Sequence, residues 1–251
     1  MLRIRLILLS LLAVFAVGAI ASASASAACL GGHLCVWEVQ ATEGGAYAKV
    51  AAGEKLNVED ESVAGAAGEF ILKAGTAEVK CKKVESYGTI EETGKDIANV
   101  LRFTGCTTGL TGCKVKSKGT AKVEEIVSTK IKTQLVTRGT GNVLADEFKG
   151  KGAGEEFVTL EFGKKQKPLS FKMEEVCGGG YPATTQVIGE IAEEVINVAE
   201  VAGVTPAQVE SIFPATQLAG NTLEAFGVAA TLTGKTIQKL VPGEGFGSRG
   251  A

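Results

Sequence analysis

Residues 76–84 read TAEVKCKKV, and this segment decides the fold class of the chain. Its apolar members, Ala77, Val79 and Cys81, alternate with charged residues and therefore share one face of an extended backbone. A strand with one apolar and one charged face is typical of an antiparallel sheet that covers a core on one side. We predict a half-buried strand here, with its cysteine pointing inward.

Other short segments on both sides of this strand resemble it. The chain has 33 glycines and only 6% aromatic residues, a composition typical of many short strands joined by turns. Further strands are predicted over 35–39, 70–73, 87–91, 97–104, 113–117, 121–137, 156–162 and 169–176. We therefore predict a mainly β fold, an antiparallel sandwich or a barrel-like double sheet. A parallel β-solenoid is the alternative, although no regular repeat supports it.

The pattern changes after residue 187. Apolar residues at helical spacing face a row of glutamates, which favours a helix, although Gly189 counts against one. Thr205 followed by Pro206 is typical of a helix start, and Pro214 marks its end. We predict a minor helical insertion over 188–212. The same residues also fit a strand face.

The first 28 residues have the three parts of a secretory signal peptide. Arg3 and Arg5 form a basic start, residues 6–20 are mostly apolar, and alanine and serine fill 21–28. This order is typical of a cleaved signal. We predict a signal peptide over 1–28, a secreted β-rich domain over 29–241 and a flexible glycine-rich tail over 242–251.

Two alternatives to cleavage stay open. The apolar run could remain as a membrane anchor, although it is shorter than the ~20 residues that a spanning helix needs. Cys29 could carry a lipid, although Ser26 stands where a lipid-attachment box has a bulky aliphatic residue. With cleavage, the mature chain has no second apolar run long enough to span a membrane.

The six cysteines indicate a disulfide-stabilised protein. Sequence alone does not choose among the possible pairings, but proximity predicts two local links and leaves one long one. Zinc binding is the competing interpretation, which the wide spacings and the single histidine do not favour. The predicted pairs are Cys29–Cys35, Cys106–Cys113 and Cys81–Cys177.

Several of these segments carry a resemblance to a known group. They are VKCK at 79–82, FTGCT at 103–107, CKV at 113–115, the segment 171–178 and VIG at 187–189. In their order and residues they resemble a large group of small secreted actinobacterial proteins of uncharacterised function. The resemblance covers residues 70–189, and it implies export without implying an activity. The chain departs from the group after Gly189.

The sequence lacks a strong catalytic motif. His33 is the only histidine, and it lies in a short loop beside the predicted mature N-terminus. A nucleophile elbow, a calcium loop and a phosphate-binding loop are all missing, so we predict no catalytic residue, cofactor or metal. The lysine-rich segments 80–83 and 164–167 are typical of soluble strand edges.

Paired glutamates such as Glu193 and Glu194 do not by themselves form a hydrolase site, since neighbours on a strand point to opposite faces. Distant carboxyl groups that converge would form one, but sequence cannot show this. The formal net charge of −2 argues against nucleic-acid binding. We predict an exported, disulfide-stabilised, non-catalytic protein that binds at the cell envelope. A secreted hydrolase with a carboxylate site is the alternative.

Overall fold

The computed structural model describes residues 35–40, 45–63, 68–92, 94–139, 143–151, 154–170, 172–198, 208–241 and 245–250. No α-helix occurs in these ranges, and hence none long and apolar enough to cross a bilayer. The predicted mainly antiparallel β fold is confirmed, and the sheets do not form a solenoid. The predicted signal peptide 1–28, His33 and Cys29, the predicted partner of Cys35, lie outside the described residues.

The described chain is built from short strands. In chain order they are β1 (Cys35–Gln40), β2 (Tyr47–Lys49), β3 (Lys55–Ser62), β4 (Phe70–Ala74), β5 (Ala77–Cys81), β6 (Lys83–Glu91), β7 (Lys95–Thr104), β8 (Thr107–Thr108), β9 (Lys114–Ser117), β10 (Glu125–Val127), β11 (Ile131–Arg138), β12 (Val143–Gly150), β13 (Glu156–Gly163), β14 (Lys165–Gln166), β15 (Met173–Glu174), β16 (Thr184–Ile188), β17 (Glu190–Val198), β18 (Gln208–Phe213), β19 (Glu224–Ala225), β20 (Val228–Val241) and β21 (Gly245–Gly250).

Eight of these strands form a closed barrel in the order β18-β17-β12-β11-β7-β6-β3-β20, and β20 closes the ring by pairing with β18. Neighbouring strands in the ring are antiparallel. Every second side chain of each strand therefore points into the barrel. Closure also pairs both sides of each strand, which removes the open edges on which sheets aggregate.

A small sheet in the order β2-β1-β21 covers one end of the barrel. Trp37 on β1 is fully buried, and it packs in a cluster with barrel residues such as Leu135, Val209 and Leu240. The tail that we predicted to be flexible forms part of this sheet, since Gly245–Gly250 pairs along the whole of β1. Six consecutive residues of that tail therefore pair with β1, and the rest of the predicted tail lies outside the described residues.

The long strand β20 links the barrel to the outer strands. Its second half pairs with β18 and β3, whereas its first half pairs with β19 and β4. Gly234 lies at the junction, where a Cβ atom would be 2.6 Å from the Phe70 ring. Glycine is therefore required for β4 to pack closely on β20. The outer strands continue in the order β19-β16-β13-β9 on one side and β4-β5-β8 on the other.

The predicted helical insertion over 188–212 is wrong wherever the structure describes it. Most of this segment forms β17 and β18, which pair with each other, and β17 also pairs with β12. Thr205 and Pro206, the predicted helix start, lie outside the described residues. The apolar residues here fit both the helical spacing and the alternation of a strand. Pairing with a neighbour on each side of β17 decides in favour of the strand.

Two other strand predictions are wrong in their extent. The segment 121–137 is divided between β10 and β11, which pair with different parts of β7. The segment 169–176 contains only the short strand β15, paired with β14, and Leu169 is exposed at the tip of that hairpin. Leu169 is therefore an apolar residue that does not belong to the core.

Two disulfides are described, and their pairing corrects our prediction. Cys81 is joined to Cys106 and Cys113 to Cys177, so the predicted pairs Cys106–Cys113 and Cys81–Cys177 are wrong. Disulfide stabilisation itself is confirmed, and such bonds fit an oxidising compartment.

The β6–β7 hairpin explains why Cys81 meets Cys106. At the open end of this hairpin, the Lys82 amide donates to the Thr104 carbonyl at 3.0 Å. The two cysteines lie just beyond these residues, with Cα atoms 3.9 Å apart. Proximity along the sequence failed as a guide because it ignores how a hairpin returns its ends to one place.

Candidate functional site

The inner face of the barrel changes character within two residues along a single strand. Phe148 on β12 lies opposite Ile191 on β17, and the next inward pair on the same strands is Asp146 opposite Glu193. All four side chains are at most 6% exposed. The first pair borders an apolar cavity and the second belongs to a belt of polar side chains, so two environments adjoin inside one barrel.

The apolar cavity has a volume of about 80 Å³ and lies between the barrel and the outer strands. Its lining includes Val79 from β5, Leu101 from β7 and Leu160 from β13. Among the described residues that line it, Ser128 is the only polar one. The Ser128 hydroxyl accepts a hydrogen bond from the Leu101 amide at 2.9 Å and donates to the Thr129 carbonyl at 2.8 Å. The cavity therefore presents apolar surface to any ligand.

Phenylalanine rings form one wall of the cavity. The Phe70 ring centroid lies 5.5 Å from that of Phe103 and 6.1 Å from that of Phe213, in edge-to-face arrangements. Phe148 lies 5.8 Å from Phe213, with the two rings tilted. Such geometries are favourable for aromatic pairs. The contacts join rings from different strands, so they hold the wall in place around the empty volume.

The polar side chains form a belt that follows six neighbouring barrel strands. We call this group the acidic belt, because three of its members are carboxylic acids and the others are neutral. Its members are Asp146 on β12, Glu193 on β17, Ser211 on β18, Gln238 on β20, Asp60 on β3 and Ser86 on β6.

Register and hydrogen bonds connect the members of the acidic belt. Gln238 donates from Nε2 to Oε1 of Glu193 at 3.3 Å, and it lies opposite Asp60 on the neighbouring strand. Ser86 lies opposite Asp60 on the other side and donates its hydroxyl proton to Oδ2 of that carboxyl group. Asp60 Oδ1 is buried without a hydrogen-bond partner among the described residues. The belt thus satisfies only part of its hydrogen-bonding capacity.

Burial dominates the protonation of the acidic belt. It raises the pKa of Asp60 from 3.8 to about 6, although the Ser86 hydrogen bond acts in the opposite direction. Burial also raises the pKa of Glu193 well above its usual value, and the charges of Asp146 and Asp60 raise it further. The nearby Ser211 hydroxyl lowers the pKa of Glu193 and so opposes this change. Neutral carboxyl groups are therefore favoured in the interior.

Cationic side chains of the barrel pair on its outer face instead. Lys149 contacts Glu147 at 2.8 Å and Glu190 at 2.9 Å, and ion pairs to Asp60 or Glu193 are not found in the described part of the chain. Within that same part, no group of three or more His, Cys, Asp or Glu is arranged to hold a metal ion. The acidic belt is therefore a set of buried acids, and it lacks the geometry of a cation site.

The convergence of distant carboxyl groups is the feature that sequence reasoning missed. Of the aspartates, Asp60 and Asp146 meet Glu193 in the belt, although they are far apart in the sequence. Glu194, the sequence neighbour of Glu193, belongs to the other face of β17. One signal was present: Leu144, Asp146 and Phe148 alternate on β12, which places the acid on the apolar face.

The chain matches no protein-family model, no curated protein and no solved structure.

Proposed function

We propose that this chain is an exported, non-catalytic binding protein that acts at the cell envelope and holds a small apolar ligand in the apolar cavity between the barrel and the outer strands. The observation that carries the proposal is the lining of the cavity, whose one polar side chain, Ser128, already uses its hydroxyl group within the protein. Export is supported by the signal-like N-terminus and by the disulfides, which fit an oxidising compartment.

The volume of the cavity limits the ligand. At about 80 Å³ it is roughly half as large as the ~150 Å³ apolar cavity that admits benzene in a well-studied case. A short aliphatic segment, such as the end of an acyl chain, has suitable chemistry and size. Its polar end would have to remain outside the cavity, because the lining offers no hydrogen-bonding group to receive it.

Methyl-group NMR with short n-alcohols as probes tests this proposal. We expect the methyl signals of Val79, Leu101 and Leu160 to shift on titration, because these side chains line the cavity. Signals from Val209 and Leu240, in the apolar cluster at the other end of the barrel, should stay in place. Equal shifts in both groups, or none in the first, would contradict ligand binding in the cavity.

A matched pair of substitutions sharpens the test. Val79→Leu adds a methylene group at the cavity wall and should weaken alcohol binding several-fold. Val115→Leu makes the same change at a fully buried position outside the lining, so binding should persist while overpacking costs ~1–3 kcal/mol of stability. If both variants bind the alcohol as the parent does, the ligand lies elsewhere.

The alternative, a secreted hydrolase, has one observation in its favour. Asp60, Asp146 and Glu193 converge, as a carboxylate site requires, but they do so inside the closed barrel and not in a groove. Substrate and water would need a path to these groups. Hydrolysis of a glycoside or ester substrate that is lost in Glu193→Gln, with folding retained, would favour the enzyme.

A further inference from the structure

The β14–β15 hairpin extends from the protein immediately after β13. In the strand register Lys165 lies opposite Glu174, and the Lys167 amide donates to the Lys172 carbonyl at 2.8 Å. At its base, Gln166 donates from Nε2 to the Ala121 carbonyl at 2.8 Å. The first two contacts hold the hairpin together, and the third attaches it to the segment before β10. We call the described residues 164–170 and 172–175 the basic hairpin.

The tip of the basic hairpin is apolar and exposed. Leu169 is 95% exposed, compared with 65% for Val176 and 56% for Tyr87, the next most exposed of the large hydrophobic residues described. Pro168 precedes it and is exposed as well. A single exposed leucine needs no explanation by itself, so the argument depends on what surrounds it.

Lysines surround this tip in the sequence and in the hairpin. Four of them, at positions 164, 165, 167 and 172, oppose two glutamates. Lys165 pairs with Glu175 at 2.6 Å, and Lys167 lies 3.5 Å from Glu174. Lys164 and Lys172 are exposed, and neither has an ion pair among the described residues. The hairpin therefore presents an apolar tip above an excess of positive charge.

We propose that the basic hairpin docks on an anionic lipid surface, with Leu169 entering the boundary of the acyl chains and the lysines lying among the headgroup phosphates. Charge complementarity supports this partner, because lysines near an anionic bilayer are attracted to it. The apolar tip favours a lipid surface over a polyanion such as an acidic polysaccharide, which would offer Leu169 no apolar environment. Pairing an apolar insertion with basic residues is a general way to bind membranes peripherally.

Covalent and backbone connections join this surface to the outer strands β13 and β9. The hairpin follows β13, which contributes Leu160 to the cavity, and Cys177 beyond the hairpin is bonded to Cys113 beside β9. Docking therefore holds the outer strands against the lipid. It does not depend on whether the cavity is occupied, so the two proposals are tested separately.

Co-sedimentation of the mature chain with vesicles tests the docking. We expect binding to vesicles of phosphatidylcholine containing phosphatidylglycerol, weakened by salt, and much less binding to phosphatidylcholine alone. Leu169→Ser should weaken binding about tenfold, since it removes the inserted side chain. Lys164→Gln combined with Lys172→Gln should weaken it about twenty-five-fold, at roughly fivefold for each lysine.

Matched controls use residues with the same character elsewhere on the protein. Val228→Ser changes another exposed apolar residue, and Lys118→Gln combined with Lys132→Gln removes the same charge. Both controls should bind within about twofold of the parent. All variants change exposed side chains, and unchanged thermal unfolding will show that they fold.

Three results would overturn the proposal. One is equal binding to neutral and anionic vesicles, and another is an equal loss of binding in the controls and the hairpin variants. The third is a Leu169→Ser variant that binds like the parent while the lysine variant does not, which would show that Leu169 does not enter the acyl chains.

Discussion

The apolar cavity and the acidic belt lie side by side on the same strands, yet they differ in how they are stabilised. Cavity residues such as Phe148 gain from leaving water, whereas burying the carboxyl group of the belt residue Asp146, two positions away, removes it from water at a cost in hydration free energy. The comparison shows that facing inward does not determine the environment. The cavity depends on packing and has no pH dependence of its own, while the belt depends on protonation.

The largest expected effect is on the packing of the cavity wall. Phe70→Ala removes a ring that is 2% exposed and contacts two other phenylalanines, so it should cost about 3–5 kcal/mol of unfolding free energy in urea denaturation. The loss should be the same at pH 5 and pH 8. Phe70→Leu, which keeps an apolar side chain, should cost clearly less. A cost below about 1 kcal/mol would mean that the wall collapses into the cavity.

The two disulfides differ in whether they contact the cavity. Removing Cys113–Cys177, which spans 64 residues, should cost ~4 kcal/mol, and removing Cys81–Cys106, which spans 25, should cost ~3.5 kcal/mol. Thermal unfolding of variants in which both cysteines of one pair are replaced by alanine measures each of these costs. Only the second pair should also change alcohol binding, since Cys81 lines the cavity. Identical effects on binding would contradict this assignment.

The acidic belt predicts that stability decreases as pH rises. The unfolded chain loses the Asp60 proton near pH 4, whereas the folded protein keeps it up to about pH 6. Between these values the folded state binds more protons, so the free energy of unfolding decreases and stays lower at higher pH. Asp60 accounts for about 3 kcal/mol of this decrease, and Glu193 adds to it with the same sign.

Asp60→Asn tests this prediction because it keeps the shape and removes the charge. Denaturation from pH 4.5 to pH 8 should show a smaller decrease in stability for the variant than for the parent protein. Glu61→Gln is the matched control, since Glu61 is an exposed neighbour on the same strand. An unchanged pH profile in Asp60→Asn would mean that water reaches this carboxyl group.

The smallest expected effect concerns a single hydrogen bond in the belt. Ser86→Ala removes the donor to Asp60 and should cost ~1 kcal/mol at pH 8, where the carboxylate needs that donor most. It should also raise the pKa of Asp60, because this hydrogen bond lowers it. In an Asp60→Asn background the cost should shrink, which a double-mutant cycle measures. Full additivity would show that the two side chains do not interact.

Alternation along single segments was enough to predict the class of the fold. The predicted strand over 76–84 is divided at Lys82 between β5 and β6, but over Ala77–Cys81 the structure confirms a half-buried antiparallel strand with Cys81 inside. The prediction succeeded because the period of two is a local property of the extended backbone. It failed over 188–212, where the residues fit both periods and pairing with distant strands decided the outcome.

Only the tertiary structure decided what lies together inside the protein. Closure of β20 on β18 made a barrel of the predicted sheet, and the β6–β7 hairpin brought Cys81 to Cys106. The same closure placed Asp60, Asp146 and Glu193 in one belt beside an apolar cavity. The register between strands that are distant in the sequence decides each of these side-chain contacts, and that register depends on the packing of the whole barrel. The amino-acid sequence determined which side chains face inward, and the closed sheet determined which of them meet.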